Sequence, residues 1–380
     1  SNQWAMVRSL THPWNEHSQG HHIMLTGRSK LPRGFSGSKP SPTDDPCIAS
    51  VVNGVMPRRN NLPPAAVLPE KLVHVSGRTI PGQFAGVMGS EHDPWFIEAS
   101  QFRTSEYIHG AFPEYGFHRW DGPTTPKDYR FEAPRLELHQ GMAKDHFRSR
   151  VALLDDLQGQ REQLDRAGSI VDFDRYRQEA ISMLTGNQVH KALDIHNVDD
   201  KTQERYGRNS FGWSLLMARN LVASGVNLVQ VNLGNNESWD THQAAFPSLK
   251  NFLLPPLDHS LSALLDDLDS SGLLDETMVV VASEFGRTPK IFRIPSGKLP
   301  GRDHWGAVQS VLFAGGGVRG GTVIGSSDKI GGYPAEDPQK PENFAATIYD
   351  ALGIPRDAQW NDLSGRPYPV YHADPIKGLT

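Results

Sequence analysis

Four short stretches of this 380-residue chain carry side chains of the kind that bind cations and anions. "VQVNLGNNESWDTH" ends in Asp240 and His242, and "VVVASEFGRT" delivers Glu284 and Arg287. "GRDHWGAVQSVLF" presents Asp303 and His304, while "HPWNEHSQGHH" offers His12, His17, Ser18, His21 and His22. Imidazole nitrogen with carboxylate oxygen is the donor mix expected for zinc, manganese or iron, with calcium or magnesium in carboxylate-rich variants. Asp-x-His in a loop can turn both side chains toward one ion, and an adjacent Asp-His pair can supply one ligand and the group that orients it. Arg287 carries a planar fork suited to clamping an anionic substrate, with a salt bridge to Glu284 as its alternative use. Ser18 is a candidate nucleophile because a metal can depress its hydroxyl pKa; its alternative is to cap a helix. His21 and His22 are candidate substrate contacts, but neighbours on a helix point in different directions, so at most one of them faces the site. Each stretch taken singly is compatible with an ordinary turn.

What raises their weight is where they sit. "TMVVVASEFG" begins as an apolar β-branched run that suits a strand covered on both faces, and its charges follow at the strand's end. "NLVQVNLG" and "SVLFAGGGV" read as further strands, and "WAMVRSL" near the start as another. Between them run helices of crossover length. "SFGWSLLMARNLVASGV" closes at Gly225, and Leu257, Leu261, Leu264, Leu265 and Leu268 form one apolar stripe. "HHIMLTGR" reads as a helix closed by Gly27, "CIASVVNGV" and "NFAATIYDALGI" as two more, and "HVSG" as a short strand. Residues 29–46 are rich in Ser, Pro and Gly and read as an exposed loop. Residues 135–206 carry dense charge at amphipathic spacing and read as a helical excursion within a single α/β domain spanning 1–380. Alternating strands and helices predict a mostly parallel central sheet flanked by helices, in which ligands bind beyond the carboxyl ends of the strands.

Bulk properties narrow the partners. With 37% hydrophobic and 21% charged residues, the chain has ample material for a core. A net charge of −5 without a basic block argues against nucleic acid or an anionic membrane as partner. No stretch approaches the roughly 18 apolar residues that a membrane-spanning helix needs. The lone Cys47 cannot form an internal disulfide.

The same stretches carry a family resemblance. "MVRSLTH", "MLTGR", "NESWDTH", "VVVASEFGRTP", "GRDHWG" and "FAGGGVRGGTVIGSSD" resemble the DUF1501 family, a bacterial group of undefined function that is similar to the alkaline phosphatase and sulfatase superfamily. That resemblance implies an alkaline phosphatase-like three-layer sandwich and a metal-dependent hydrolase of phosphate or sulfate esters. The substrate it implies is a small anionic ester. By position, Asp240 and His242 match the Asp and His that hold one metal, His304 matches that metal's last histidine, and Glu284 falls where a second metal is held. His17 or Ser18 matches the nucleophile. Phe285 stands where a ligand histidine is usual, and no cysteine lies near His17 to become formylglycine. The family's N-terminal strand, which supplies a metal carboxylate, is expected to precede Ser1. An export signal, and hence a periplasmic or secreted location, is implied by resemblance alone. The expected cofactor is a divalent cation (zinc, manganese or calcium). The alternative is a non-catalytic binding or scaffold member with a degenerate metal site, favoured by Phe285 and the missing strand.

Overall fold

The computed structural model describes residues 3–100 except 61 and 75, the strands at 116–118 and 122–124, residues 131–133, and 187–380 except 235–237, 294 and 296–298. Its first strand, β1 (Trp4–Leu10), alternates as a half-buried strand should: Ala5 and Val7 are fully buried and Arg8 is exposed. Helix α1 (His17–Thr26) stops at Gly27, whose φ of 64° lets its N–H reach the Ile23 carbonyl. Then come α2 (Ile48–Val55), β2 (Ala65–Leu68) and β3 (Trp95–Phe96). Helices α3 (Asn187–Leu193), α4 (Asp200–Tyr206) and α5 (Ser210–Ala223) lead into β4 (Leu228–Val231). Helix α6 (Leu254–Ser270) then feeds β5 (Val279–Val281), and the two-residue strands β6 (Gly286–Arg287) and β7 (His304–Trp305) follow. The chain continues with β8 (Gln309–Ala314), β9 (Val323–Ile324) and α7 (Pro341–Ala351).

These strands form several small sheets in a mixed α/β arrangement. One sheet has the order β9-β1-β8-β5, a second the order β3-β2-β4, and β6 pairs with β7 as a separate ribbon. The expected single, mostly parallel central sheet is corrected here. Only the β3-β2-β4 sheet is parallel throughout, and β8 runs antiparallel to both β1 and β5. The reason is the connection between β5 and β8. A parallel neighbour needs a crossover, usually helical, whereas this stretch returns through the β6–β7 ribbon, with no helix among the described residues. The valines of β5 are half-buried rather than enclosed, because β5 ends its sheet and only β8 pairs with it.

The cores explain why the site ends of these strands hold still. Ala65 and Val67 of β2 face one apolar layer, with Val7, Phe313, Val52 and Phe344. Ala66 and Leu68 face another, with Leu216, Leu221, Leu264 and Leu268 from α5 and α6. That period of two is the strand signature, and burying both faces anchors β2 against its neighbours. Of the helical excursion at 135–206, α3 and α4 are described; residues 135–186 lie outside the described residues. Of the expected "HVSG" strand, residue 75 lies outside the described residues, and Val73 and Thr79 on either side of the stretch form an isolated bridge. No helix among the described residues is long and apolar enough to cross a membrane.

Candidate metal and anion site

Asp240 is the centre of the cluster. It follows β4 through a turn in which the Trp239 indole N–H donates to the Leu233 carbonyl at 2.9 Å while its ring stacks on Phe211. The indole is thereby pinned and the next side chain turned inward, leaving Asp240 8% exposed. Its Oδ1 lies 3.0 Å from Nε2 of His242, 3.0 Å from Nε2 of His304 and 2.7 Å from the Arg287 guanidinium. Its Oδ2 lies 3.1 Å from Nε2 of His17. Burial alone would raise the Asp240 pKa. The close approach of the His17, His242 and His304 rings and the charge of Arg287 overcome it and hold the carboxyl far below the usual range.

The ribbon delivers two of these partners together. Antiparallel pairing sets Arg287 directly opposite His304 and Gly286 opposite Trp305. Arg287 spends its fork on Asp240, on the Trp239 carbonyl at 3.1 Å and on the Arg302 carbonyl at 3.3 Å. Its carboxylate partner is thus Asp240 rather than Glu284. The loop before β7 lies flat on the loop that carries His242. Arg302 N–H donates to the Thr241 carbonyl, and a Cβ on Gly301 would fall 2.1 Å from the His242 carbonyl oxygen. Only glycine allows that approach.

Hydrogen bonds assign the tautomers. His304 Nδ1 lies 2.7 Å from the Asn15 carbonyl, which can only accept, so the proton sits on Nδ1 and Nε2 offers a lone pair. That lone pair meets His242 Nε2 at 2.9 Å and the ionised Asp240. His242 Nδ1 in turn lies 3.4 Å from Asp303, whose Oδ1 accepts the His304 backbone N–H at 2.8 Å. Two imidazole nitrogens and a carboxylate oxygen converging this closely repel one another unless a cation or proton lies among them, and the donor set fits a divalent ion. The ligand atoms of His242, Asp303 and His304 lie within 4.8 Å of one another, as do those of His17, Asp240 and His304.

A second group adjoins the first. His17, His21 and Glu284 also bring ligand atoms within 4.8 Å. His21 Nδ1 donates to the His17 carbonyl at 2.7 Å, leaving its Nε2 unprotonated, and burial pushes the His21 pKa down. His17 bridges the two groups, with Nδ1 3.1 Å from Glu284 and Nε2 3.1 Å from Asp240. Burial disfavours its charge, but the two carboxylates outweigh that and raise its pKa to about 9. Glu284 would be raised by burial, yet His21 and His17 hold it well below the carboxylate range. Helix α1 reaches this close because residue 20 is glycine: a Cβ there would fall 2.8 Å from the Phe285 ring.

Two sequence candidates lie elsewhere. The Ser18 hydroxyl donates to the Gly37 carbonyl at 2.7 Å and is buried away from Asp240, and the N-cap of α1 is Glu16. His22 is fully buried against Phe35, with neither ring nitrogen hydrogen-bonded and Asp45 3.8 Å away. The structure therefore gathers His17, His21, Asp240, His242, Glu284, Arg287, Asp303 and His304, and leaves Ser18 and His22 outside. Cys47 is buried, and burial pushes its thiol up to about 11, so it offers no thiolate. Sequence reasoning missed Asn15 and gave His12 no role. Asn15 fixes His304 through a backbone carbonyl, which no side-chain pattern reports. His12 Nε2 donates to the Glu284 carbonyl at 2.7 Å. The only available signal for these was the "HPWN" turn itself.

With this geometry in hand, the family can be stated. The chain belongs to the DUF1501 family. The family model, described as a protein of unknown function, matches residues 1–380. No curated protein matches. Among solved structures, the chain is similar to one described as a crystal structure of Ps i-CgsB in complex with k-i-k-neocarrahexaose, at 13% identity and a TM-score of 0.40. That match covers 93% of this DUF1501 chain and 65% of the other, so the chain spans less than two thirds of its neighbour's length. A likeness this loose decides neither fold nor activity.

Proposed function

We propose that this DUF1501 protein hydrolyses phosphate or sulfate esters with a divalent cation held by Asp240, His242 and His304. The observation that carries the reading is the meeting of both Nε2 atoms with Asp240 Oδ1 at 3.0 Å, from loops 62 residues or more apart in the chain. Two imidazoles per group favour zinc or manganese over calcium, which takes oxygen ligands. When bound, the cation supplies Lewis acidity toward an anionic ester oxygen.

The chain's own residues do the rest. Asp303 orients His242, and the Asn15 carbonyl fixes the tautomer of His304. Arg287 ties Asp240 to the two neighbouring backbone carbonyls, so the ligand loop and the ribbon share one rigid joint. His17 carries a proton between two carboxylates, and it is the group placed to protonate a leaving alkoxide. Ser18 faces Gly37, so the reading assigns it no part in the chemistry. The test is turnover of aryl phosphates and aryl sulfates with zinc, manganese and calcium added back in turn. Turnover should depend on the metal and fall about tenfold or more in His304→Ala. Full activity in that variant overturns the proposal.

One observation favours a second reading, a non-catalytic binding member of the family. Phe285 is 3% exposed and its ring packs 4.5 Å from His304 and 5.4 Å from His17, where a further ligand would otherwise fit. Metal uptake without turnover of any ester in the panel would support it.

A further inference from the structure

Phe285 and Arg287 have a second side. Both also line a cleft of about 290 Å³ that opens beside the metal cluster and is lined further by Arg8, Ser310 and Ser327. This volume is at the low end of small-molecule sites, enough for one ring-sized group. The lining carries no carboxylate.

Arg8 is the unusual member. It stands on the exposed face of β1, and among the described residues it makes no ion pair or hydrogen bond. Register places it beside Ser310. Val7 pairs with Val311, and a bulge between Val7 and Leu10 then shifts the register so that Leu10 meets Gln309. Such bulges re-aim side chains next to functional sites. The hydroxyls of Ser310 and Ser327 likewise have no protein partner among the described residues. Gln309 lies next along β8, but its side chain turns to the opposite, core face, where Nε2 meets the Met24 sulfur at 3.6 Å. The rim is tied to the cluster, since the Trp305 indole N–H, one residue after His304, donates to the Gly332 carbonyl.

We propose that this cleft binds a hydroxyl-rich ring bearing an anionic group, and that Arg8 reads that group. The unpaired guanidinium supplies the charge, the serine hydroxyls the polyol contacts, and the Phe285 ring an apolar wall. The cleft would hold the part of the substrate that does not react, so Arg8 is a specificity-determining residue. The inference deepens the hydrolase reading and rests on it only for which bond breaks.

The test is binding of glucose 6-sulfate, glucose 6-phosphate, glucuronate and uncharged glucose to the full chain by calorimetry, with and without chelator. All three anions should bind more tightly than glucose. Arg8→Ala should weaken them about tenfold or more, and Arg8→Lys by less. Ser310→Trp, which fills the cleft from an exposed position, should abolish binding with an unchanged thermal midpoint. Binding should survive chelation and His304→Ala. Equal binding of glucose, indifference to Arg8→Ala, or loss of binding on chelation would overturn the proposal. Absent turnover with intact, Arg8-dependent binding would instead count against the hydrolase reading alone.

Discussion

The two faces of α1 put polar side chains to opposite ends. His17 and His21 turn toward carboxylates, and every ring nitrogen they offer lies near a partner or a candidate ion. Ser18 and His22, one position further along each time, turn into packed protein. There the serine satisfies a carbonyl, and the histidine ring is buried against Phe35. A single step along the helix thus separates two environments with opposite demands, while residues four apart share one. On one face charge is gathered and paired; on the other a polar ring is tolerated without a hydrogen bond.

That contrast can be broken in several ways. The largest effect belongs to the charged side. Asp240→Asn should lower metal affinity by more than about 100-fold, beyond what loss of an orienting partner costs, as measured by metal content after dialysis. His21→Leu should reduce the metal bound at the second group, whereas His22→Leu should leave metal content unchanged and keep or raise the thermal midpoint. Removing two unpaired buried nitrogens costs nothing in hydrogen bonds. Equal metal loss in both variants would erase the distinction between the faces.

A titration sharpens it. The raised His17 pKa contributes stability that is fully present below its unfolded value of 6.5 and is lost as pH rises through about 9. Asp240 and Glu284 contribute in the opposite sense: their depressed pKa values favour the fold above the ordinary carboxylate range and fail only as pH falls well below it. The metal-free protein should therefore lose thermal stability between pH 6.5 and 9, and His17→Gln should flatten that slope. The smallest effect is Ser18→Ala. It should cost about 1 kcal/mol in chemical denaturation and leave turnover as it was, because only the bond to Gly37 is lost.

Much of this site was legible because charge at the end of an apolar strand is conspicuous. Glu284 and Arg287 stand three and six residues beyond β5, Asp303 and His304 five or six before β8, and Asp240 and His242 nine and eleven beyond β4. The direction of β8 was less legible, since strand patterning says nothing about whether a connection crosses over or turns back. Nor could the pattern choose between His21 and His22, which differ by about 100° around a helix. Asn15 was invisible for another reason: it acts through its backbone, and every residue has one. Arg287 was read as a clamp for an anionic substrate, with Glu284 as its alternative partner; the carboxylate it meets is Asp240, 47 residues away and beyond the reach of local reasoning.

The contact between Gly301 and His242 has a wider consequence. The strands and helices between residues 245 and 299 enter and leave through one seam, where Ala244 and Ala245 donate to the carbonyls of Leu299 and Pro300. Ligands on either side of that seam are stapled to each other rather than to the helix between them. Lineages could lengthen or trim the intervening helix without disturbing the spacing of His242 and His304, whereas any side chain at position 301 would prise the two loops apart.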